Sequence, residues 1–141
     1  MNKNLKITDI DYSFKAHPVS GNLILKTGKE AIKQSVRTLL LINSFEKPFF
    51  VMSANLRNKL FDNFDFIIEN DIIQRIKKIL EIHEPRIVVE DVSINYGKTR
   101  ETIDDVFIDT REQELVVLVT YTIIGEEASR ETISLVVSRS R

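Results

Sequence analysis

Apolar positions along this chain recur with two different periods, and the change falls at Pro85. Upstream, from Thr27, the spacing predicts helices. Thr27 with Glu30 three residues on has capping-box spacing. Ile32, Val36, Leu39, Leu40 and Asn43 then follow at helical intervals, apolar up to the last position. Pro48 and the pair Phe49-Phe50 are expected to close this unit. A short second helix is predicted from about Ser53, with Leu56, Leu60, Phe61 and Phe64 at i, i+4, i+5 and i+8. The third helix has the plainest signature: Asn70 or Asp71 as cap, Ile72, Ile76, Ile79, Leu80 and His83 along one face, and Pro85 as the stop. Arg75, Lys77 and Lys78 lie off that stripe, as a solvated face requires.

Past Pro85 the period is two. Ile87-Val88-Val89 opens a strand, and Val92, Ile94 and Tyr96 resume the alternation after a bulge expected at Glu90-Asp91. Gly97 to Asp105 reads as a loop or hairpin tip, and Val106-Phe107-Ile108 as a short strand or an extension of the first. Between Glu114 and Ile124, Val116, Leu118, Thr120 and Thr122 alternate with Leu115, Val117, Val119, Tyr121 and Ile123. Gly125-Glu126-Glu127 turns the chain. From Thr132 to Val137, Ile133, Leu135 and Val137 alternate with Thr132, Ser134 and Val136. Helices first and a meander second predict an α+β fold, with N-terminal helices packed on a mainly antiparallel sheet of three to four strands. Residues 1–27 show no sustained period and are punctuated by Pro18 and Gly21-Asn22. They read as a leader, either a mobile tail or a partner-binding arm, ahead of a single domain over 28–141.

Composition narrows the function classes. The 141 residues are 43% hydrophobic, enough for one core. There is no cysteine, which removes disulfides, thiolate metal sites and cysteine nucleophiles. A net charge of −1 disfavours nucleic acid as a partner, because phosphate neutralisation needs excess Lys and Arg. No apolar run approaches the roughly 20 residues of a bilayer span, and no signal-peptide pattern opens the chain, so no membrane partner is expected. The balance hides an asymmetry: residues 1–70 carry ten basic and seven acidic side chains, residues 71–141 ten and fourteen, hence +3 and −4. Much of that acidity lies between Glu90 and Glu114, either a solvated loop or a docking surface for a basic partner.

Catalytic equipment is sparse. There is no nucleophile elbow, phosphate loop or His-Glu-x-x-His helix, and no cofactor is implied. Asp9, Asp11 and His17 are three metal-ligand types, but no second cluster with known spacing accompanies them, and no metal site is assigned. Glu84-Pro85-Arg86 draws more interest. A carboxylate at a helix C-terminus faces the negative end of the dipole, so a cation is needed to offset it. Arg86 is the natural one, and Pro85 fixes the corner between them. The corner is either an internal clasp or a rigid surface that presents Arg86 or Glu84 to a partner. A third reading makes Glu84 the acid of a murein hydrolase. That chemistry needs a second carboxylate across a sugar cleft, and the chain has no tryptophan for a sugar platform.

His17-Pro18-Val19-Ser20-Gly21, Ala31-Ile32-Lys33-Gln34-Ser35-Val36, Glu46-Lys47-Pro48-Phe49, Leu60-Phe61-Asp62-Asn63 and Glu84-Pro85-Arg86-Ile87 occur in that order. Together, over nearly the whole chain, they resemble the baseplate wedge proteins of contractile phage tails. These are the tail-sheath initiators of T-even-like phages, related to a baseplate component of type VI secretion systems. Phe45 stands where that family usually has a Gly, Lys47 where it has an Arg, and Phe50-Val51-Met52-Ser53 where many members have Pro-x-x-Gly. The stretch from Asn95 to Asp105 looks like an insertion. The resemblance implies a non-enzymatic structural subunit in the virion's tail baseplate, assembled in the host cytoplasm and arranged as a six-fold ring. Its implied partners are other wedge proteins and tail sheath subunits. Glu84, Pro85 and Arg86 would contact the wedge. Thr132, Ile133, Ser134, Leu135, Val136 and Val137 would form an open edge to which a sheath strand adds.

Overall fold

The computed structural model describes residues 7–46, 53–59, 65–96, 114–125 and 130–138. In chain order it contains β1 (Thr8–Ile10), β2 (Leu25–Thr27), α1 (Lys29–Leu41), α2 (Leu56–Lys59), α3 (Phe66–His83), β3 (Ile87–Tyr96), β4 (Glu114–Ile123) and β5 (Arg130–Ser138). The fold is α+β. β1 and β2 pair as a small antiparallel hairpin, and β3-β4-β5 form an antiparallel sheet in that order.

The period-two pattern sets the sheet's two faces. Leu115, Val117, Val119, Tyr121 and Ile123 of β4 are buried, as are Ile133, Leu135 and Val137 of β5. They meet Ile32, Val36 and Leu40 of α1 and Ile72, Ile76, Ile79 and Leu80 of α3 in one apolar cluster. The expected bulge is present: the β3–β4 register shifts between Val89 and Asp91, leaving Glu90 as the extra residue. Val92 and Ile94 therefore return to the core face already occupied by Ile87.

Two helix starts differ from the expectation. Thr27 is not the cap of α1, because it completes β2 opposite Thr8 and its backbone belongs to that ladder. Gly28 caps instead, at φ +60 and without a side-chain bond, turning the chain from strand to helix where a side chain would be strained. α3 begins before Asn70 and Asp71. Asp65 caps it, its carboxylate accepting from the N–H groups of Ile67 (3.0 Å) and Ile68 (2.9 Å). Asn70 and Asp71 lie inside the helix, Asp71 paired with Arg75 one turn on at 2.8 Å. His83 is the last residue of α3 but is exposed, outside the buried stripe. Pro48, Phe49, Phe50, Leu60, Phe61, Phe64 and the segment 97–113, with its proposed loop and short strand, lie outside the described residues.

The leader carries structure where it is described. A turn over 17–22 closes the β1–β2 hairpin, with Gly21 at φ +68 and the His17 N–H bonded to the Asn22 carbonyl at 2.6 Å. Gln34 of α1 pins this hairpin down. Its Nε2 donates to the Ile10 carbonyl (2.7 Å) and to Asp9 Oδ2 (3.1 Å), and its Oε1 accepts from the Tyr12 N–H (3.3 Å).

Candidate functional site

Glu84 follows the last turn of α3 and is only 1% exposed. Its N–H completes the helix ladder to the Leu80 carbonyl at 2.8 Å, so its position is fixed by α3 itself. A buried carboxylate at that pole needs compensation from the chain that follows. Pro85 turns the backbone, and Arg86 folds back to grip the carboxylate with both arms: Nε bonds Oε1 and Nη2 bonds Oε2 at 2.6 Å. A third donor arrives from α1, where Ser35 Oγ bonds Oε2 at 2.5 Å. Burial pushes the Glu84 carboxyl up, but the bonds from Arg86 and Ser35 and the Arg86 charge outweigh it. The group is held below the usual carboxylate range, ionised at neutral pH. The Arg86 guanidinium is raised by its bonds to Glu84, against burial, and also by the charges of Glu84 and Asp9.

The corner thus has a concealed half and a displayed half. Glu84 is inside, while Pro85 and Arg86 are exposed, the Arg86 side chain by 44%. Ile82 and Val88, close by in the chain, and Ile124 are exposed apolar side chains. The Ile124 N–H is tied to the Arg86 carbonyl at 2.9 Å, which locks the start of β3 to the end of β4. Arg86 is therefore anchored on both its side-chain and its backbone side.

The other predicted segment, Thr132 to Val137, lies within β5, at one edge of the sheet. Ile133, Leu135 and Val137 point into the core and Thr132, Ser134 and Val136 away from it. β4 takes one side of the strand in continuous register from Glu114↔Ser138 to Thr122↔Arg130. Among the described residues no backbone bond reaches β5 from any other element. β3 is the opposite edge, but Glu90 bulges out of it and Asp91 is exposed beside the bulge, both devices that discourage pairing. β5 has neither over Thr132–Val137. It is the flatter edge.

The three residues weighed as metal ligands have other duties. Asp9 accepts from Gln34, Asp11 accepts from the Ser13 N–H at 2.8 Å and lies 3.7 Å from Lys26, and His17 Nδ1 accepts from the Val19 and Ser20 N–H groups. Sequence reasoning gave no role to Ser35 or Gln34. Both residues bond segments far apart in the chain, and locally they are simply part of the polar run Lys33-Gln34-Ser35, which carries no sign of it. The sequence places Tyr121 only in the alternation of Leu115 to Ile123 and gives it no further role. Its hydroxyl is buried without a partner among the described residues, and burial foremost, then the charges of Glu131, Glu30 and Glu84, push it up to about 12.

No protein-family model matches the chain and no curated protein sequence matches it. Solved structures do. The chain is similar to one in the cryo-electron microscopy structure of the anti-feeding prophage baseplate, determined with six-fold symmetry. The TM-score is 0.65 and the identity 21%, over 87% of this chain and 90% of that one. It is also similar to a protein from Geobacter sulfurreducens described as a candidate tail lysozyme, with TM-score 0.61 and 17% identity over 84% and 96% of the two chains. At these identities the likeness is one of fold.

Proposed function

We propose that this chain is a structural subunit of a contractile-tail baseplate that connects the wedge to the sheath and starts sheath assembly by strand addition. The observation that carries the reading is the regular, uncharged stretch Thr132–Val137 of the β5 edge, with no second backbone neighbour among the described residues. An exposed edge of this length is a liability that proteins normally blunt, and one left open is suited to an incoming strand. The fold shared with a baseplate chain supports the setting, and the six-fold symmetry of that baseplate supports a ring of copies. On this reading the protein works in the tail baseplate of the virion, after assembly in the host cytoplasm.

The Arg86 corner is the proposed contact with other wedge proteins. A guanidinium held in place by Glu84, on a corner that also exposes Ile82, Val88 and Ile124, has the makeup of an interface anchor: an ordered cation with apolar surface that a partner could cover. Glu84 supports this surface from behind. The leader, residues 1–27, is proposed as the partner-binding arm of a single domain over 28–141.

A murein hydrolase acting through Glu84 is the competing idea, and the name of the Geobacter protein keeps it in view. A general acid must hold its proton near neutral pH. Glu84 is clamped in the opposite state. Peptidoglycan cleavage by the wild type that disappears in Glu84→Gln would reinstate it.

The test of the baseplate reading is co-expression with the sheath and wedge proteins of the same tail, followed by hydrogen exchange on the purified complex. Alternate amides of Thr132–Val137 should gain protection when sheath is bound, while those of β3 should not. Sheath binding with unchanged exchange in β5 would remove strand addition. Failure to associate with either protein would remove the baseplate role.

A further inference from the structure

Beside the free edge of β5 lies a cavity of about 340 Å³, and its far wall is one face of α1. Thr132, Ile133 and Ser134 contribute the strand side; Glu30, Lys33 and Arg37 contribute the helix side, with Lys26 of β2 at the margin. Spacings of three and four residues put the helix side chains in one row. Three of these side chains are cationic and one is a carboxylate.

The cations are not equivalent. Lys26 is already engaged, 3.7 Å from Asp11 and 5.2 Å above the Tyr12 ring. Lys33 and Arg37 are exposed, and neither has an acidic partner among the described residues. The other end of the row is a carboxylate, Glu30 in the first turn of α1, while nearby Glu131 is already paired with Lys29 at 3.7 Å. Along the helix axis Lys33 and Arg37 are about 6 Å apart, at a rise of about 1.5 Å per residue. Two same-face residues of an extended strand are about 7 Å apart. The two spacings match.

Building on strand addition at β5, we infer that the incoming strand is acidic: it carries Asp or Glu at one or both of two alternate positions, which Lys33 and Arg37 read. Main-chain pairing to β5 is indifferent to sequence. The α1 row supplies the selection, and it does so by charge: an acidic residue finds a cation, while a basic residue leaves Lys33 and Arg37 facing like charge. Glu30 sets the polarity, because an acid placed at that end meets repulsion. The row thus selects both the partner and its register along the edge.

Fluorescein-labelled octapeptides of alternating Val and Thr, N-methylated along one edge to prevent self-pairing, test this on the full chain by anisotropy. Three versions carry Glu, Gln or Lys at the two helix-side positions. The Glu peptide should bind roughly fivefold tighter than the Gln peptide, the scale of two solvent-accessible ion pairs, and the Lys peptide weakest. Raising NaCl from about 0.05 to 0.5 M should shrink the difference, since screening acts at this range. In Lys33→Glu/Arg37→Glu the order should reverse, with an unchanged circular dichroism spectrum because both positions are exposed. Equal binding of the Glu and Gln peptides, with β5 amides protected by both, would overturn the acidic-strand inference and leave strand addition standing. Binding by none of the three would overturn both.

Discussion

Arg86→Ala removes the cation from the Glu84 clasp while leaving a carboxylate that is 1% exposed, with Ser35 as its remaining side-chain donor. Breaking a fully buried ion pair from one side costs about 3–5 kcal/mol. The Arg86 side chain is 44% exposed, so water takes over part of its role and the expected cost falls to about 2–3 kcal/mol. Acidity should modulate that cost in a definite direction. In the wild type the Glu84 carboxyl titrates below its unfolded value. Its contribution is present above the unfolded pKa and is lost as pH falls through the folded one. Without the guanidinium, burial, the largest influence, is opposed only by Ser35 and the backbone N–H of residue 86, and the folded-state carboxyl moves above its unfolded value. The variant therefore loses stability as pH rises from that value, and the two profiles converge in acid. Urea denaturation followed by circular dichroism at pH near 7 and near 4 measures both effects. Glu84→Gln is the companion: the amide keeps a Ser35 bond and the freed guanidinium turns to water, so it should cost only about 1 kcal/mol. An Arg86→Ala cost below about 0.5 kcal/mol, or one equal at the two pH values, would refute the clasp as the compensation for Glu84.

Two further substitutions probe the segments around α1. Phe45 sits at φ +68 and is 80% exposed, in a turn closed by Asn43 and Glu46; Phe45→Gly should relieve about 1–2 kcal/mol of left-handed strain against about 0.5–1 of added unfolded-state freedom, a net gain of about 0.5–1 kcal/mol. Phe45→Ala, which keeps the Cβ, should not show that gain in the same urea assay. Gln34→Ala should release the β1–β2 hairpin, with a cost of about 0.5–1.5 kcal/mol because its partners belong to exposed residues that water can satisfy, and faster amide exchange over Thr8–Thr27 than elsewhere; unchanged hairpin exchange would mean that Gln34 is not the tether.

The chain announces its buried faces and conceals its long-range polar bonds. β4 and β5 were legible because every second residue enters the core, and α3 because Ile72, Ile76, Ile79 and Leu80 repeat at helical spacing. The start of α3 was misplaced because Phe66 and Ile67 are exposed apolar residues in its first turn, which blurs the amphipathic stripe before Asn70. β1 and β2 left no period because neither has a buried residue. The clasp was half legible. Arg86 lies two residues from Glu84 and was named as its partner on dipole grounds, whereas Ser35 lies 49 residues away and no local pattern points to it. The Phe45 turn is legible only through the resemblance, as the place where the resembled family usually has Gly. The positive φ found there gives that expectation its physical cause.

The extra residue at Glu90 has a bearing on which changes of length this chain tolerates. Ile87 and Val92 are five apart, an odd interval, yet both face the core. Only the bulge reconciles them. Deleting Glu90 would leave Ile87 and Val92 four apart, an even interval, so a regular strand would still point both at the core. The halves of β3 would fall out of phase only if a further residue were added between them, and with Ile87 would then go the corner that carries Arg86. Glu90 also bonds Thr122 and lies 2.8 Å from Arg130, joining β3 to β4 and β5 across the sheet's open face. Substitution or deletion at this position loses those surface contacts and, for a deletion, the local bend, whereas one added residue would rotate the corner away from whatever it engages. Sequences that share this corner should therefore tolerate loss of the bulge residue but not a further gain in this stretch.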